Sequence, residues 1–219
     1  MNPKNLFIAA AVVLMLAFAG GVLYYTSQKQ EQAVQTADVN RSLMVRMHSP
    51  SHGNANAPVE IVEFFDPACE TCRDFYFRVK SDILPAHPDR IRLVLRYAPF
   101  HEGSDKVVAI LEAARKQGQF WPVLETLLAN QERWVEHHSA QVDRVWPLLE
   151  GLGLNLDQVR ADMAAPEIAA LIAQDLADAA ALKVTMTPEY FVNGRPLPSF
   201  GYEQLQTLVG EELAATRGR

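Results

Sequence analysis

Runs of apolar residues near the middle of the chain predict two strands on either side of a helix. Val59–Phe65 has the sequence VEIVEFF, a β-branched and aromatic run that is bounded by prolines and is typical of a buried strand. Apolar residues then recur at helical spacing from Phe75 to Ile83, and Ile91–Tyr97 alternates as a second strand. A strand, a helix and a strand in this order predict a parallel βαβ unit.

The second half of the chain is predicted to be helical before it returns to strands. Helical patterns extend from about residue 104, where Ser104 can cap a helix, to about residue 183. A strand follows at Glu189–Val192, and Asn193-Gly194 is typical of a hairpin turn. A last helix begins at Tyr202. These elements predict an α/β fold, in which a small mixed sheet has a helical block inserted between its βαβ unit and a C-terminal hairpin and helix.

The N-terminal segment differs in composition from the rest of the chain. Residues 6–25 form an uncharged apolar run after Lys4, which is long enough for a membrane-spanning helix. Ala17-Phe18-Ala19 also has the small-x-small form of a signal-peptidase site, so a cleaved signal peptide is the alternative. Under both interpretations, the remainder of the chain is exported.

Polar residues dominate between about 26 and 57, and we expect a loose linker there with one short edge strand at residues 43–47. Residues 58–219 are then long enough for one domain with its own core. The net charge of the 219 residues is -6, and no basic cluster is present. This charge argues against nucleic acid as the main partner.

The stretch FFDPACETC contains both cysteines of the chain, Cys69 and Cys72. They lie where the first strand ends and the helix begins. A purely structural disulfide is a poor interpretation, because it would close almost no loop. The other two interpretations are a metal site and a redox pair.

A zinc site would need four ligands, and the sequence offers no second pair at a suitable spacing. His48 and His52 are separated by a proline, and the adjacent His137-His138 would point apart on a helix and face solvent. We therefore predict no resident metal. A Cu(I) site formed by the two cysteines and Met186 stays open as an alternative, because all three are soft ligands.

A redox pair fits the position of the cysteines best. The N-terminus of a helix stabilises an anion, so a thiolate at Cys69 would be the attacking group. Cys72, one turn later, could resolve a mixed disulfide. Glu63 shares a strand face with core positions. It is either buried with a raised pKa, as a proton relay for Cys72, or it reaches solvent at the strand end.

The segments VEFFDPACETC, RYAPFHEGSDKVVAILEAARKQGQFW and TMTPEYFVNGRPL resemble DsbA-like thiol–disulfide oxidoreductases, and the resemblance covers nearly all residues after Ala57. It implies a thioredoxin fold and an acidic group buried beneath the cysteines, at Glu63. It also implies that Pro188 is cis and faces the cysteines, and that the backbone of Thr187 binds an extended substrate. Strong oxidases of this family have a histidine between the cysteines. Here Glu70 and Thr71 stand there, and Glu70 is expected to raise the pKa of Cys69.

The expected function is an exported thiol–disulfide oxidoreductase that exchanges the Cys69–Cys72 pair with cysteines of other exported proteins. No cofactor beyond the two sulfurs is expected. A membrane or periplasmic redox partner would recharge the pair. The expected location is the bacterial inner membrane, with a single span and the catalytic domain in the periplasm, or alternatively the periplasm after signal cleavage. The alternative function is a copper-binding protein that uses the same thiols.

Overall fold

The computed structural model divides the chain into two compact units, Met1–Arg41 and Ser42–Arg219. It describes residues 42–216 and, before them, five positions: Met15, Phe18, Gly20, Gly21 and Tyr24. Apart from these five positions, the predicted anchor or signal segment at residues 6–25 lies outside the described residues. Within the described part of the chain, no helix is both long and apolar enough to cross a membrane.

Two sheets are present in the second unit. In chain order the strands are β1 (Ser51–Gly53), β2 (Val59–Phe65), β3 (Ile91–Tyr97), β4 (Val135–Glu136), β5 (Ser139–Ala140), β6 (Glu189–Val192) and β7 (Arg195–Pro196). The central sheet has the strand order β1-β3-β2-β6-β7, and β4 and β5 form a separate hairpin. Strand β2 therefore lies at the centre of the sheet.

The pairing of the central strands confirms the predicted βαβ unit. Strands β2 and β3 are parallel, with Val59 opposite Ile91 and Phe65 opposite Tyr97. On its other side β2 pairs antiparallel with β6, which places Glu63 opposite Tyr190. The sheet is mixed, as the sequence predicted, and the end of β2 leads directly to the cysteines.

Helices make up most of the remaining chain. In chain order they are α1 (Glu70–Arg78), α2 (Leu84–Ala86), α3 (Ser104–Lys116), α4 (Phe120–Ala129), α5 (Gln131–Trp134), α6 (Trp146–Leu149), α7 (Leu156–Met163), α8 (Pro166–Ala181) and α9 (Tyr202–Ala215). A π-helical turn, Val79–Ile83, joins α1 to α2, and a 3-10 turn, Val142–Arg144, precedes α6. Helices α3 to α8 are the predicted insertion.

Alternating side chains of the central strands build two apolar clusters, one on each face of the sheet. Ile61 and Phe65 of β2 belong to the larger cluster, which also contains buried residues of α1, α3, α4 and α9. Val62 and Phe64 belong to the smaller cluster, which includes Ala179 of α8. Both faces are covered by helices, so five of the seven residues of β2 are apolar.

Residues 42–57 correct the prediction of a loose linker. Met44 is buried in the smaller cluster, and Arg46 forms an ion pair with Asp178 of α8 at 2.6 Å. The edge strand is β1 rather than residues 43–47, and it pairs antiparallel with β3. The prediction failed because ion pairs attach this segment to the domain. From the sequence alone, a polar residue that forms such an ion pair cannot be distinguished from one that is exposed to solvent.

Candidate active site

The two cysteines occupy different positions at the start of α1. The chain turns after β2, where the Cys69 amide donates to the Asp66 carbonyl at 3.1 Å. Cys69 is the N-cap residue of α1 and Cys72 lies in its first turn, as predicted. Both are free thiols, and 6% of Cys69 but none of Cys72 is exposed. Only the Cys69 sulfur is therefore accessible to another molecule.

The surroundings of Cys69 stabilise its thiolate. The pKa of Cys69 is lowered to about 6, chiefly because Cys72 donates a hydrogen bond to it, and burial only partly offsets this effect. The backbone amides of Cys72 and Thr71, at the start of the helix, and the Thr187 side chain act in the same direction. Much of Cys69 is therefore ionised at neutral pH, which is the state that attacks a disulfide.

In contrast to Cys69, Cys72 and Glu63 lie in surroundings that favour the neutral form of each group. Burial raises the pKa of Cys72 well above its usual value, and the neighbouring Cys69 and Glu63 add to the effect. Burial likewise raises the pKa of Glu63 well above its usual range. The structure resolves the two sequence alternatives for Glu63, since its side chain is completely buried and does not reach solvent. A neutral acid thus lies beneath a neutral thiol.

Thr187 and Pro188 complete the site from the loop that precedes β6. The peptide bond between them is cis, as predicted. The Cys69 sulfur lies 3.4 Å from the Thr187 carbonyl oxygen. The structure therefore brings together four of the predicted site residues, Cys69, Cys72, Glu63 and Thr187, together with the cis proline.

Glu70 and Thr71 occupy the first turn of α1, where the sequence placed them. The Glu70 carboxylate is 45% exposed and lies 3.5 Å from the Nδ1 atom of His138. The predicted effect of Glu70 on the Cys69 pKa stays a prediction. His138 lies in the turn between β4 and β5 and not on a helix, although it faces solvent as expected.

Two buried polar residues that the sequence did not single out hold the cysteine loop. The Asp66 carboxylate accepts hydrogen bonds from the amides of Ala68 and His101, both at 2.9 Å, and from the Ser104 hydroxyl. The Gln131 side-chain amide donates to the carbonyls of Pro67 and Cys69, at 2.8 and 3.0 Å. Asp66 could have been suspected from its place between a buried strand and a proline. Gln131 carries no sequence signal.

This arrangement can perform thiol–disulfide exchange. In the reducing direction the Cys69 thiolate attacks a substrate disulfide, that bond breaks, and the released substrate sulfur takes up a proton. Cys72 then loses its proton, which the buried Glu63 carboxyl can take up once it has released its own proton, and attacks the Cys69 sulfur. The mixed disulfide breaks, a Cys69–Cys72 disulfide forms, and the substrate leaves with two thiols and two more electrons. The oxidising direction is the reverse.

Comparison with known proteins identifies the family. A model of a family described as thioredoxin matches residues 46–211. The chain belongs to the thioredoxin family. A crystal structure of a thioredoxin-like oxidoreductase from Silicibacter pomeroyi is 32% identical, with a TM-score of 0.67 over 81% of this chain and 97% of that one. The probable disulfide bond formation protein D of Bacillus anthracis is 25% identical over 97% of this chain and 99% of its own length.

Within the thioredoxin family, the chain is similar to a thioredoxin-like oxidoreductase and to a disulfide bond formation protein, in agreement with the resemblance to DsbA-like thiol–disulfide oxidoreductases. These findings favour the redox interpretation of the cysteines over the copper alternative, and Met186 of that alternative is exposed. A further relative, the Na+/H+ antiporter NhaA of Herminiimonas arsenicoxydans, is 28% identical over 96% of this chain. This chain spans 33% of that relative's length.

Proposed function

We propose that this thioredoxin-family protein is an exported enzyme that exchanges the Cys69–Cys72 pair with cysteines of other exported proteins. The observation that carries the proposal is the accessible sulfur of Cys69, which has a lowered pKa and lies 3.4 Å from the Thr187 carbonyl. No organic cofactor is required, because the two sulfurs themselves carry two electrons.

The substrates we propose are extended, unfolded segments that contain cysteine. Three large apolar side chains next to site elements are exposed: Phe100, Met186 and Phe200. Met186 directly precedes Thr187, and Phe200 stacks on Phe75 of α1 with 5.2 Å between ring centroids. Apolar side chains around the backbone of Thr187 suit a chain that adds as a strand and buries its own apolar residues.

The location we propose is the outer face of the bacterial inner membrane, with residues 6–25 retained as an anchor. The length and apolar composition of this segment support the proposal. A relative named as an antiporter contains a similar domain within a longer chain, which is consistent with a tethered domain. A membrane or periplasmic redox partner would return the cysteine pair to its active state after each turnover.

Trapping of mixed disulfides tests the substrate class. In Cys72→Ser the resolving thiol is absent, so we expect covalent complexes between Cys69 and exported proteins in the native host. Cys69→Ser is the matched control and is expected to trap none, since the Cys72 sulfur is buried. Complexes formed by Cys69→Ser instead, or formed only with cytoplasmic proteins, would contradict the proposal.

Sequencing of the mature N-terminus tests the anchor separately. Protein purified from the membranes of the native host is expected to retain residues 6–25. A mature chain that begins at Gly20 would show cleavage after Ala19 and would make the enzyme a soluble protein of the exported compartment.

A further inference from the structure

Two imidazole rings lie at the edge of the active site. His101 follows β3, and its Nδ1 atom lies 2.7 Å from the buried carboxylate of Asp66. His138 lies 3.5 Å from Glu70, and the centroids of the two imidazole rings are 5.9 Å apart. The four side chains thus form a continuous line from Asp66, before the cysteine pair, to Glu70, the residue directly after Cys69.

The turn that carries His138 has an unfavourable backbone conformation. His137 and His138 connect β4 to β5 as a two-residue loop, and their φ angles are +50° and +60°. Two-residue hairpins of this left-handed kind favour Asn-Gly, and a positive φ is uncommon for residues other than glycine, although histidine adopts it more often than most. His138 is also 75% exposed, so burial in the core does not hold it in this place. Unfavourable backbone of this kind is concentrated at functional sites.

Asp66 fixes the orientation of the His101 imidazole ring. Its carboxylate is fully buried and accepts hydrogen bonds from both the backbone amide and the ring of His101. These two hydrogen bonds fix the position of the His101 ring, so that it can pack against a neighbouring side chain. The His138 ring lies next to it at an interplanar angle of 33°. His138 therefore has two contacts that place it beside the cysteine pair, namely Glu70 and the His101 ring.

We propose that His138 acts on Cys69 through Glu70, as a positioning residue, and that its protonation makes the Cys69–Cys72 disulfide more oxidising. Glu70 directly follows Cys69 at the start of α1, and its negative charge is predicted to oppose the thiolate. An imidazolium at His138 cancels this charge and therefore stabilises the thiolate. A stabilised thiolate stabilises the reduced enzyme, so the disulfide becomes the stronger oxidant.

The sign of the pH dependence follows from the charges that face His138. Glu70 of α1 attracts the imidazolium, and a protonated His101 repels it, although Asp66 lies behind His101 as a counter-charge. On the same hairpin, His137 is the adjacent residue, and Glu136 is already paired with Arg144 at 2.8 Å. Imidazole gains its proton between about pH 8 and 5. The effect also requires the Cys69 thiolate, which is lost well below pH 6, so it should be largest near pH 6 and absent at high pH.

The equilibrium of the cysteine pair with glutathione, measured on the full-length protein, tests this proposal. At about pH 6, where both the imidazolium and the Cys69 thiolate are present, we expect His138→Asn to be about twofold less oxidising than the wild type, or about 9 mV. At about pH 8 the two proteins should agree. Asparagine accepts a left-handed backbone, so the turn is retained. In the Glu70→Gln background the same substitution should have little effect, because the negative charge that the imidazolium cancels is then absent.

His137→Asn is the matched control, because it changes the same residue type in the same turn. No hydrogen bond or ion pair of the His137 side chain is found among the residues that the structure describes, so we expect wild-type behaviour at both pH values. Equal potentials of His138→Asn and wild type at the lower pH would overturn the proposal. An equal shift in His137→Asn, or a His138→Asn shift that is the same at both pH values, would do so as well. The measurement uses glutathione, so it is independent of the substrates and location proposed above.

Discussion

The Glu63 carboxyl group lies directly across the strand pair from Tyr190, and neither side chain has a hydrogen-bond partner among the residues that the structure describes. Burial is the main cause of the raised pKa of Glu63, and the nearby Tyr190 hydroxyl, which favours the charged carboxylate, only partly offsets it. An ionisable group that is buried without a partner destabilises the folded protein when it is charged. Such an arrangement is typical of a functional site.

Glu63→Gln should change the pH dependence of stability. The raised pKa of Glu63 in the folded state means that the wild type is most stable below the usual range of the carboxyl, near 4.5. As pH rises above that value the unfolded chain alone releases the proton, so stability falls by up to about 1.4 kcal/mol per pH unit, until the folded state also ionises. The glutamine variant lacks this fall. Urea unfolding of the reduced proteins at several pH values measures the difference.

Glu60→Gln is the control for that experiment, because Glu60 lies on the same strand but is partly exposed and lies 3.6 Å from Arg92. We expect Glu60→Gln to change the free energy of unfolding by less than about 1 kcal/mol at every pH. If Glu63→Gln follows the wild-type curve throughout, the carboxyl does not titrate abnormally and cannot serve as the proton acceptor for Cys72.

Glu70→Gln should lower the pKa of Cys69 further and make the disulfide easier to reduce. The negative charge beside the sulfur disfavours the thiolate, but exposure and salt weaken the effect, so we expect at most a tenfold change in equilibrium, about 30 mV. Thiolate absorbance against pH, on Cys72→Ser with and without Glu70→Gln, measures the pKa. Asp74→Asn, later on α1, is the control and should have a smaller effect. An unchanged or higher Cys69 pKa in the Glu70 variant would refute the tuning role.

Local sequence patterns predicted the central elements well. Residues that are close in sequence determine the apolar runs of β2 and β3. They also determine the start of helix α1 at Cys69. The hairpin at His137-His138 could not be predicted, because it contains neither glycine nor asparagine. Contacts between residues that are distant in sequence could not be predicted either. Gln131, 62 positions after Cys69, is one such residue, and sequence spacing carries no information about it.

The buried ion cluster around Arg96 gives a prediction about stability. Arg96 is fully buried on β3, and its guanidinium contacts Asp175 and Asp178 of α8 at 2.7 and 2.6 Å. Removal of the arginine takes away the fully buried counter-charge of both carboxylates and leaves Asp178 with the partly exposed Arg46 and Asp175 with His48. We expect Arg96→Met to lower the free energy of unfolding by about 3–5 kcal/mol, as measured by urea denaturation.

Arg195→Met is the matched control for Arg96, because Arg195 also contacts two carboxylates, those of Glu211 and Glu212, but is 54% exposed. Exposed ion pairs contribute little, so its loss should lower stability by no more than about 1 kcal/mol. Similar losses in the two variants would mean that burial of the cluster does not determine its contribution.

Gln131 should support both the stability and the reactivity of the cysteine loop. Its amide donates to the carbonyls of Pro67 and Cys69 from a buried position, and the helix start that stabilises the Cys69 thiolate follows directly. Gln131→Met keeps the length of the side chain but removes both donors. We expect the free energy of unfolding to fall by about 1–3 kcal/mol. The pKa of Cys69 should also rise above about 6, because the amides of Thr71 and Cys72 are held less firmly beneath the sulfur.

Gln117→Met separates this role of Gln131 from a general effect of losing a glutamine. The Gln117 side chain also makes two hydrogen bonds to backbone, both with Asn155, at 3.1 and 2.9 Å, but it is partly exposed and lies in the helical insertion. We expect Gln117→Met to lower stability by less than about 1 kcal/mol and to leave the Cys69 titration unchanged. Urea unfolding of both variants measures the free energy of unfolding, and thiolate absorbance against pH measures the Cys69 pKa. A Gln131 variant that loses stability while its Cys69 pKa stays at the wild-type value would limit Gln131 to a purely structural role.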